Sequence, residues 1–125
     1  MHKLIVIGHA GADAVLRFTP DGIPVVSFSV ADNRRQKNGD KITSQTTWFR
    51  VTVWGNLVEL AKSIRKGDTL YVEGVFMADE KTGGPRVWTS TSVPSASFDV
   101  RATNIFILGH SARSRDAAME NEIPY

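Results

Sequence analysis

The run TTWFRVTVWGN, residues 46–56, decides how the chain is read. Successive side chains on a β-strand point to opposite faces. Phe49, Val51 and Val53 therefore share one face, a continuous apolar surface suited to a core. Trp48, Arg50, Thr52 and Trp54 share the other, which alternates indole, guanidinium, hydroxyl and indole. Burying that second face would strand a guanidinium charge, at several kcal/mol. Exposing it with no partner would leave an adhesive patch. The strand is thus expected to form one wall of a sheet whose outer side meets something.

The flanking sequence supplies the other walls. LIVIG at 4–8 reads as a strand, as does IPVVSFSVAD, with Val26, Phe28 and Val30 inward and Ser27, Ser29 and Ala31 outward. TPDG at 19–22 is a turn, and Asn38-Gly39 within NRRQKNGDK signals a hairpin leading into the 46–56 strand. NLVELAKSIRKG is expected to be helical, with Asn56 as N-cap, Leu57, Leu60, Ala61 and Ile64 as the apolar stripe, and Gly67 after its end. DTLYVEGVF is a further strand, with Leu70, Val72 and Phe76 on its inner face. KTGGPR is a hairpin tip, and FDVRATNIFILG is the last strand. GHAG at 8–11 lacks the lysine of a phosphate loop and reads as a turn.

Three strands, a helix, then two more strands predict an all-β domain: a five-stranded Greek-key barrel of the OB type, with one α-helix between strands 3 and 4. Another small α+β sheet also satisfies the pattern. Residues 1–110 are expected to form this domain, and 111–125, polar and without periodicity, are expected to form a flexible tail.

Composition narrows the chemistry. The 125 residues include no cysteine, so disulfides, thiolate metal sites and a cysteine nucleophile are excluded. No apolar run has the length of a signal peptide or a membrane span, so a soluble, cytoplasmic protein is expected. His2, His9 and His110 show no metal-ligand spacing, and no nucleophile–base arrangement stands out, so no metal, cofactor or enzymatic activity is expected. The net charge is only +2, but it is unevenly placed. Between Val30 and Arg50 five cations (Arg34, Arg35, Lys37, Lys41, Arg50) face two anions (Asp32, Asp40), whereas the final DAAMENEIPY carries Asp116, Glu120 and Glu122 and no cation. A basic middle and an acidic end point to two different partners.

Aromatic platforms beside cations are what sequence-tolerant binders of single-stranded nucleic acid use, each stacked base contributing on the order of 1–3 kcal/mol. On this reading Trp48 and Trp54 stack bases, joined by Trp88 beyond the TGGPR tip. Arg34, Arg35, Lys37, Lys41, Arg50 and Arg86 meet phosphates, and Thr52 lies between the indoles. An exposed-face tryptophan is also what a subunit interface would cover, so an OB-type protein–protein adaptor remains open.

These segments resemble the bacterial single-stranded DNA-binding protein family over residues 2–109. HKLIVIGHAGAD, RFTPDGIPVVSFSVA, TTWFRVTVWGNLVELAKSIRKGDTLYVEG and RATNIFILG follow its order and spacing. The resemblance implies an OB fold, a homotetramer, single-stranded DNA wrapped on the assembly, and base stacking at Trp48 and Trp54, the latter more often phenylalanine in the family. It implies roles in replication, recombination and repair in the nucleoid, with partner enzymes docking on a C-terminal tip, here Glu122, Ile123, Pro124 and Tyr125. The chain departs from the family where a tryptophan often precedes the basic hairpin. Asn33 and Arg34 stand there, and Arg34 offers a guanidinium plane instead. FMADEK, 76–81, also replaces a usually basic stretch, and Tyr125 replaces phenylalanine. A primosomal replication-restart accessory protein shares the GIPVVSFSV pattern but usually lacks such a tip.

Overall fold

The computed structural model describes residues 1–111; the Glu122–Tyr125 tip and the rest of the expected tail lie outside them. Eight strands are formed: β1 (Leu4–Ala10), β2 (Val15–Phe18), β3 (Pro24–Asn38), β4 (Lys41–Trp54), β5 (Thr69–Phe76), β6 (Val87–Ser90), β7 (Val93–Ala96) and β8 (Phe98–Gly109). The main sheet runs β1-β5-β8-β4-β3-β2 and closes on itself where β1 also meets β3, at His9↔Ala31 and Ala10↔Val30. Five strands (β1, β3, β4, β5, β8) make the barrel, and β2 pairs on the outer edge of β3. All barrel pairings are antiparallel except β4–β8, which is parallel, so the chain between Trp54 and Phe98, which includes β5, makes a crossover. The expected OB barrel is what the chain forms, with its one helical segment between the third and fourth barrel strands.

Alternation explains the core. Val26, Phe28 and Val30 of β3 and Val51 and Val53 of β4 are buried, with Leu70 and Val72 of β5 and Val100 and Ile105 of β8 opposing them. Apart from Phe28 these are β-branched and leucine side chains, at every second position along β3, β4 and β5, the pattern of a sheet with one face dry.

The helix differs most from expectation. Only Val58–Ala61 (α1) is α-helical, after a single 3-10 turn at Gly55–Leu57, and Asn56 makes no cap. Val58, Ala61 and Ile64 face inward, while Leu60 is exposed. Local competition for backbone groups ends the helix early. The Ser63 hydroxyl donates to the Leu60 carbonyl at 2.6 Å, and the buried Asp68 carboxylate accepts the Arg65 N–H at 2.9 Å. A serine and an aspartate that read as helix surface and strand lead-in instead turn the chain.

Four smaller expectations are corrected. Gly8–Ala10 of GHAG belong to β1 rather than to a turn. The hairpin expected from Asn38-Gly39 forms, but its loop sits one residue later, at Gly39–Asp40, with Gly39 at φ +64° and Asn38 still paired to Lys41, as in two-residue loops that carry their glycine first. KTGGPR is not a hairpin tip between paired strands; β6 pairs with β7, around Thr91-Ser92. Phe76 does not join the core but is exposed at the end of β5, stacked on His2 with ring centroids 6.0 Å apart.

Candidate nucleic-acid interface

The face that posed the opening question points out of the barrel. Trp48 is 53% exposed, Arg50 is exposed, and Thr52 and Trp54 are half-buried. Strand rise puts Trp48 and Trp54 about 20 Å apart along β4. Across the ladder from them lie Ala31, Ser29, Ser27 and Val25 of β3, in the register Trp48↔Ala31, Arg50↔Ser29, Thr52↔Ser27 and Trp54↔Val25. Small neighbours leave the indole and guanidinium standing above a shallow surface. A cleft of about 310 Å³ opens there, lined by Ala12, Asp13, Ser27, Ser29, Trp48 and Arg50 among others.

The Trp48 ring is seated, not loose. A Cβ added at Gly11 would fall 2.6 Å from Trp48 Cζ3 and 2.8 Å from Ser29 Oγ, so the ring rests against bare glycine backbone. That backbone is itself pinned. Gly11 N–H donates to the Ser29 carbonyl at 3.0 Å, Ala14 N–H to the Ile64 carbonyl at 3.0 Å, and Lys66 N–H to the Asp13 carboxylate at 2.9 Å. The early end of α1 thus holds the β1–β2 loop under the tryptophan. Gly11 is the site residue that sequence reasoning missed. Its only sequence signal is a glycine beyond β1, indistinguishable from an ordinary turn.

Beyond the barrel, β3 and β4 continue as a two-stranded ribbon, paired without interruption from Ala31↔Trp48 to Asn38↔Lys41. Period-two alternation along it divides the expected cations. Arg35 and Lys37 extend the row of Ser27 and Ser29 and so share the Trp48 face, as Arg50 does. Arg34 and Lys41 fall on the reverse, and Arg34 Nε lies 3.6 Å from Asp32 on that same side. Among the described residues no carboxylate lies within ion-pair distance of Arg35, Lys37 or Arg50.

Trp88 and Arg86 are organised differently from a simple loop pair. Trp88 sits on β6 opposite Ser95, with the Arg86 guanidinium 5.3 Å from its ring centroid. Arg86 Nε also lies 3.7 Å from Asp99, which accepts the Ser97 hydroxyl at 2.6 Å. Arg86 therefore anchors the β6–β7 hairpin to β8, where Asp99 is the ladder neighbour of Arg50. Its charge is engaged by Asp99 and by the indole face.

Chemically, this surface offers flat π faces, guanidinium and ammonium donors, and hydroxyls; of the carboxylates beside it, Asp99 is paired with Arg86 and Asp13 accepts the Lys66 N–H. Such a face accommodates an unstacked base and its phosphate better than it accommodates aliphatic protein surface. The fold is of the OB type, and the face carries the kinds of groups that binders of single-stranded nucleic acid use.

The sequence comparisons are narrower. The single-strand binding protein family matches residues 1–92, and the chain belongs to that family. A relative named single-stranded DNA-binding protein 1, from Xylella fastidiosa, is 35% identical over 95 residues, covering 71% of this chain and 70% of its own length. A single-stranded DNA-binding protein from Treponema pallidum is 28% identical over 121 residues, covering 93% of this chain, which spans 65% of that relative. Among solved structures, the small single-stranded DNA-binding protein of Streptomyces coelicolor superposes with a TM-score of 0.68 at 24% identity, covering 90% of this chain and 95% of its own. The Plasmodium falciparum SSB complex with ssDNA gives 0.66 at 24% identity, covering 86% and 95%. These two establish a shared fold.

Proposed function

We propose that the protein binds single-stranded DNA without sequence preference, through the outer face of β3 and β4. The observation that carries this reading is the half-exposed Trp48 indole, seated on Gly11 in a row with Arg50, Arg35 and Lys37. Family membership and the printed names of the relatives support it. Trp48 and Trp54 stack bases and Trp88 extends the platform, while Arg35, Lys37 and Arg50 neutralise phosphates. Thr52, Arg34, Lys41 and Arg86 play lesser parts, the last as an anchor for Trp88. The role is binding, not turnover.

The assembly is proposed to be a homotetramer. A second outer surface supports self-association: Ile5 and Ile7 of β1 and Phe106 and Leu108 of β8 are each more than half exposed, with Tyr71 between them. A contiguous aliphatic face of this kind marks a protein–protein contact. The Glu122–Tyr125 tip is proposed to recruit replication and repair enzymes, and cytoplasmic, nucleoid-associated work fits such a role. Among the described residues no helix is long and apolar enough to cross a membrane.

The test is titration with oligo-dT while following tryptophan emission, at two salt concentrations, with duplex DNA as competitor. Strong quenching, weak competition by duplex and a log–log salt slope near −0.7 per neutralised phosphate are expected. Equal affinity for duplex, or no quenching at low salt, overturns the reading.

A further inference from the structure

Three clefts lie in series around the β4–β8 junction, and Ser97 lines all of them. The first is the one beside Arg50 already described. The second, about 330 Å³, is lined by Trp48 and Phe98, with Gln45, Thr46 and Thr47 along one side and Ala96 and Ser97 along the other. The third, about 290 Å³, is lined by Phe98 with Met77, Gly83, Gly84, Pro85 and Asp99. Trp48 is thus shared by the first two clefts and Phe98 by the last two, so aromatic rings and recesses alternate.

The cause is a topological boundary. β8 joins β4 only from Phe49↔Phe98 onward, so among the described residues no strand lies beside Lys41–Trp48 on that edge of β4. Phe98 stands at the corner. Its ladder partner Phe49 is half-buried against the core, with ring centroids 5.8 Å apart at 37°. Phe98 itself is 53% exposed, as much as Trp48. It presents that surface between two recesses, both of which it lines.

We infer that Phe98 is a further base platform, so that a strand stacked on Trp48 crosses the unpaired edge of β4, passes Phe98 and enters the recess beside Gly83–Pro85. This path rests on the single-stranded DNA reading and extends it to residues on β8 and the β5–β6 loop. Its direction is set by continuity: the second cleft begins at the tryptophan the first one ends on. Polar donors and acceptors at Gln45, Thr46, Thr47 and Ser97 line the crossing. Asp99, the one carboxylate in the third cleft, does not present a free charge to phosphate, being bound by Arg86 at 3.7 Å and by the Ser97 hydroxyl at 2.6 Å.

Two measurements on the full chain test this. Oligo-dT carrying 5-iododeoxyuridine at single positions is photocrosslinked to the wild-type protein and the modified residues are mapped. Crosslinks at both Trp48 and Phe98, from different oligonucleotide positions, are expected. Phe98→Leu, which keeps apolar volume against Phe49, is expected to weaken oligo-dT binding roughly tenfold while tryptophan quenching at saturation persists. Crosslinks confined to the tryptophans, with wild-type affinity in Phe98→Leu, overturn the path and leave the Trp48 site standing. A changed solution mass in Phe98→Leu with no Phe98 crosslink also overturns it, placing the residue in a subunit contact. No quenching and no crosslink anywhere would instead remove the DNA reading itself.

Discussion

The barrel has two outer surfaces that a hydropathy count treats alike, and they differ in kind. On β3 and β4 the exposed apolar matter is aromatic and interleaved with Arg50, Arg35, Lys37 and serines. On β1, β5 and β8 it is mostly aliphatic, Ile5, Ile7 and Leu108 beside Phe106 and Tyr71, and the cation at its end, Lys3, is paired with Glu73 at 3.0 Å. The first surface suits a charged polymer with flat faces; the second suits the like surface of another chain. A tryptophan on a sheet is therefore informative through its neighbours. The cost of hydrating an exposed indole is similar in both settings, but only cations and hydroxyls around it give a phosphate somewhere to go.

That contrast breaks most visibly at Trp48. Trp48→Ala is expected to weaken oligo-dT binding on the order of 5- to 150-fold, with solution mass unchanged, as followed by anisotropy and light scattering. Ile7→Asp on the other surface is expected to do the reverse: it lowers the association state, seen by sedimentation, while each chain still shows tryptophan quenching. If Trp48→Ala dissociated the assembly instead, the roles of the two faces would be exchanged. Next in size is Gly11→Ala, which keeps the indole but removes its seat. The new methyl would crowd Trp48 at 2.6 Å, so an affinity loss of about tenfold with a shifted emission maximum is expected.

A finer division lies within the basic ribbon. Replacing Arg35 and Lys37 by alanine should lower the salt slope by about 1.4, the sum of two phosphate contacts, whereas replacing Arg34 and Lys41 should lower it by less. The smallest effect concerns acid. Glu73 on the aliphatic face accepts the Tyr71 hydroxyl at 2.7 Å and pairs with Lys3 at 3.0 Å, which together hold its carboxyl below the usual glutamate value, the tyrosine hydrogen bond contributing most. A carboxyl lowered by folding contributes stability above its unfolded value, and that contribution is lost as pH falls through the folded value. Glu73→Gln should therefore lower the melting temperature slightly at neutral pH and leave the acid end nearly unchanged, which flattens the acid side of a thermal-melt profile. Tyr71 is shifted the other way, upward, by the same hydrogen bond, so its contribution is lost only as alkaline pH deprotonates it.

Much of this could be read in advance. Two-residue alternation in 24–31 and 46–54 placed Val26, Phe28, Val30, Val51 and Val53 inside and Trp48 and Arg50 outside, because a pleated strand leaves no other choice. The helix failed because Ser63 and Asp68 compete for the backbone, and that competition depends on where the barrel turns the chain. The β6–β7 hairpin escaped notice because its turn residues, Thr91 and Ser92, sit at φ 48° and 65° without a glycine to announce them.

Local sequence by itself determined which side chains share a face, since strand periodicity is a property of the backbone. Only the tertiary structure decided which shared faces meet: that Gly11, thirty-seven residues from Trp48, lies beneath its ring, that the Arg35 side of the ribbon is the one in register with that ring, and that Phe98 stands beside Phe49 at the corner where β8 joins β4. Those relations arise from barrel closure and the parallel β4–β8 pairing, where residues distant in sequence are brought together by burial of a common core.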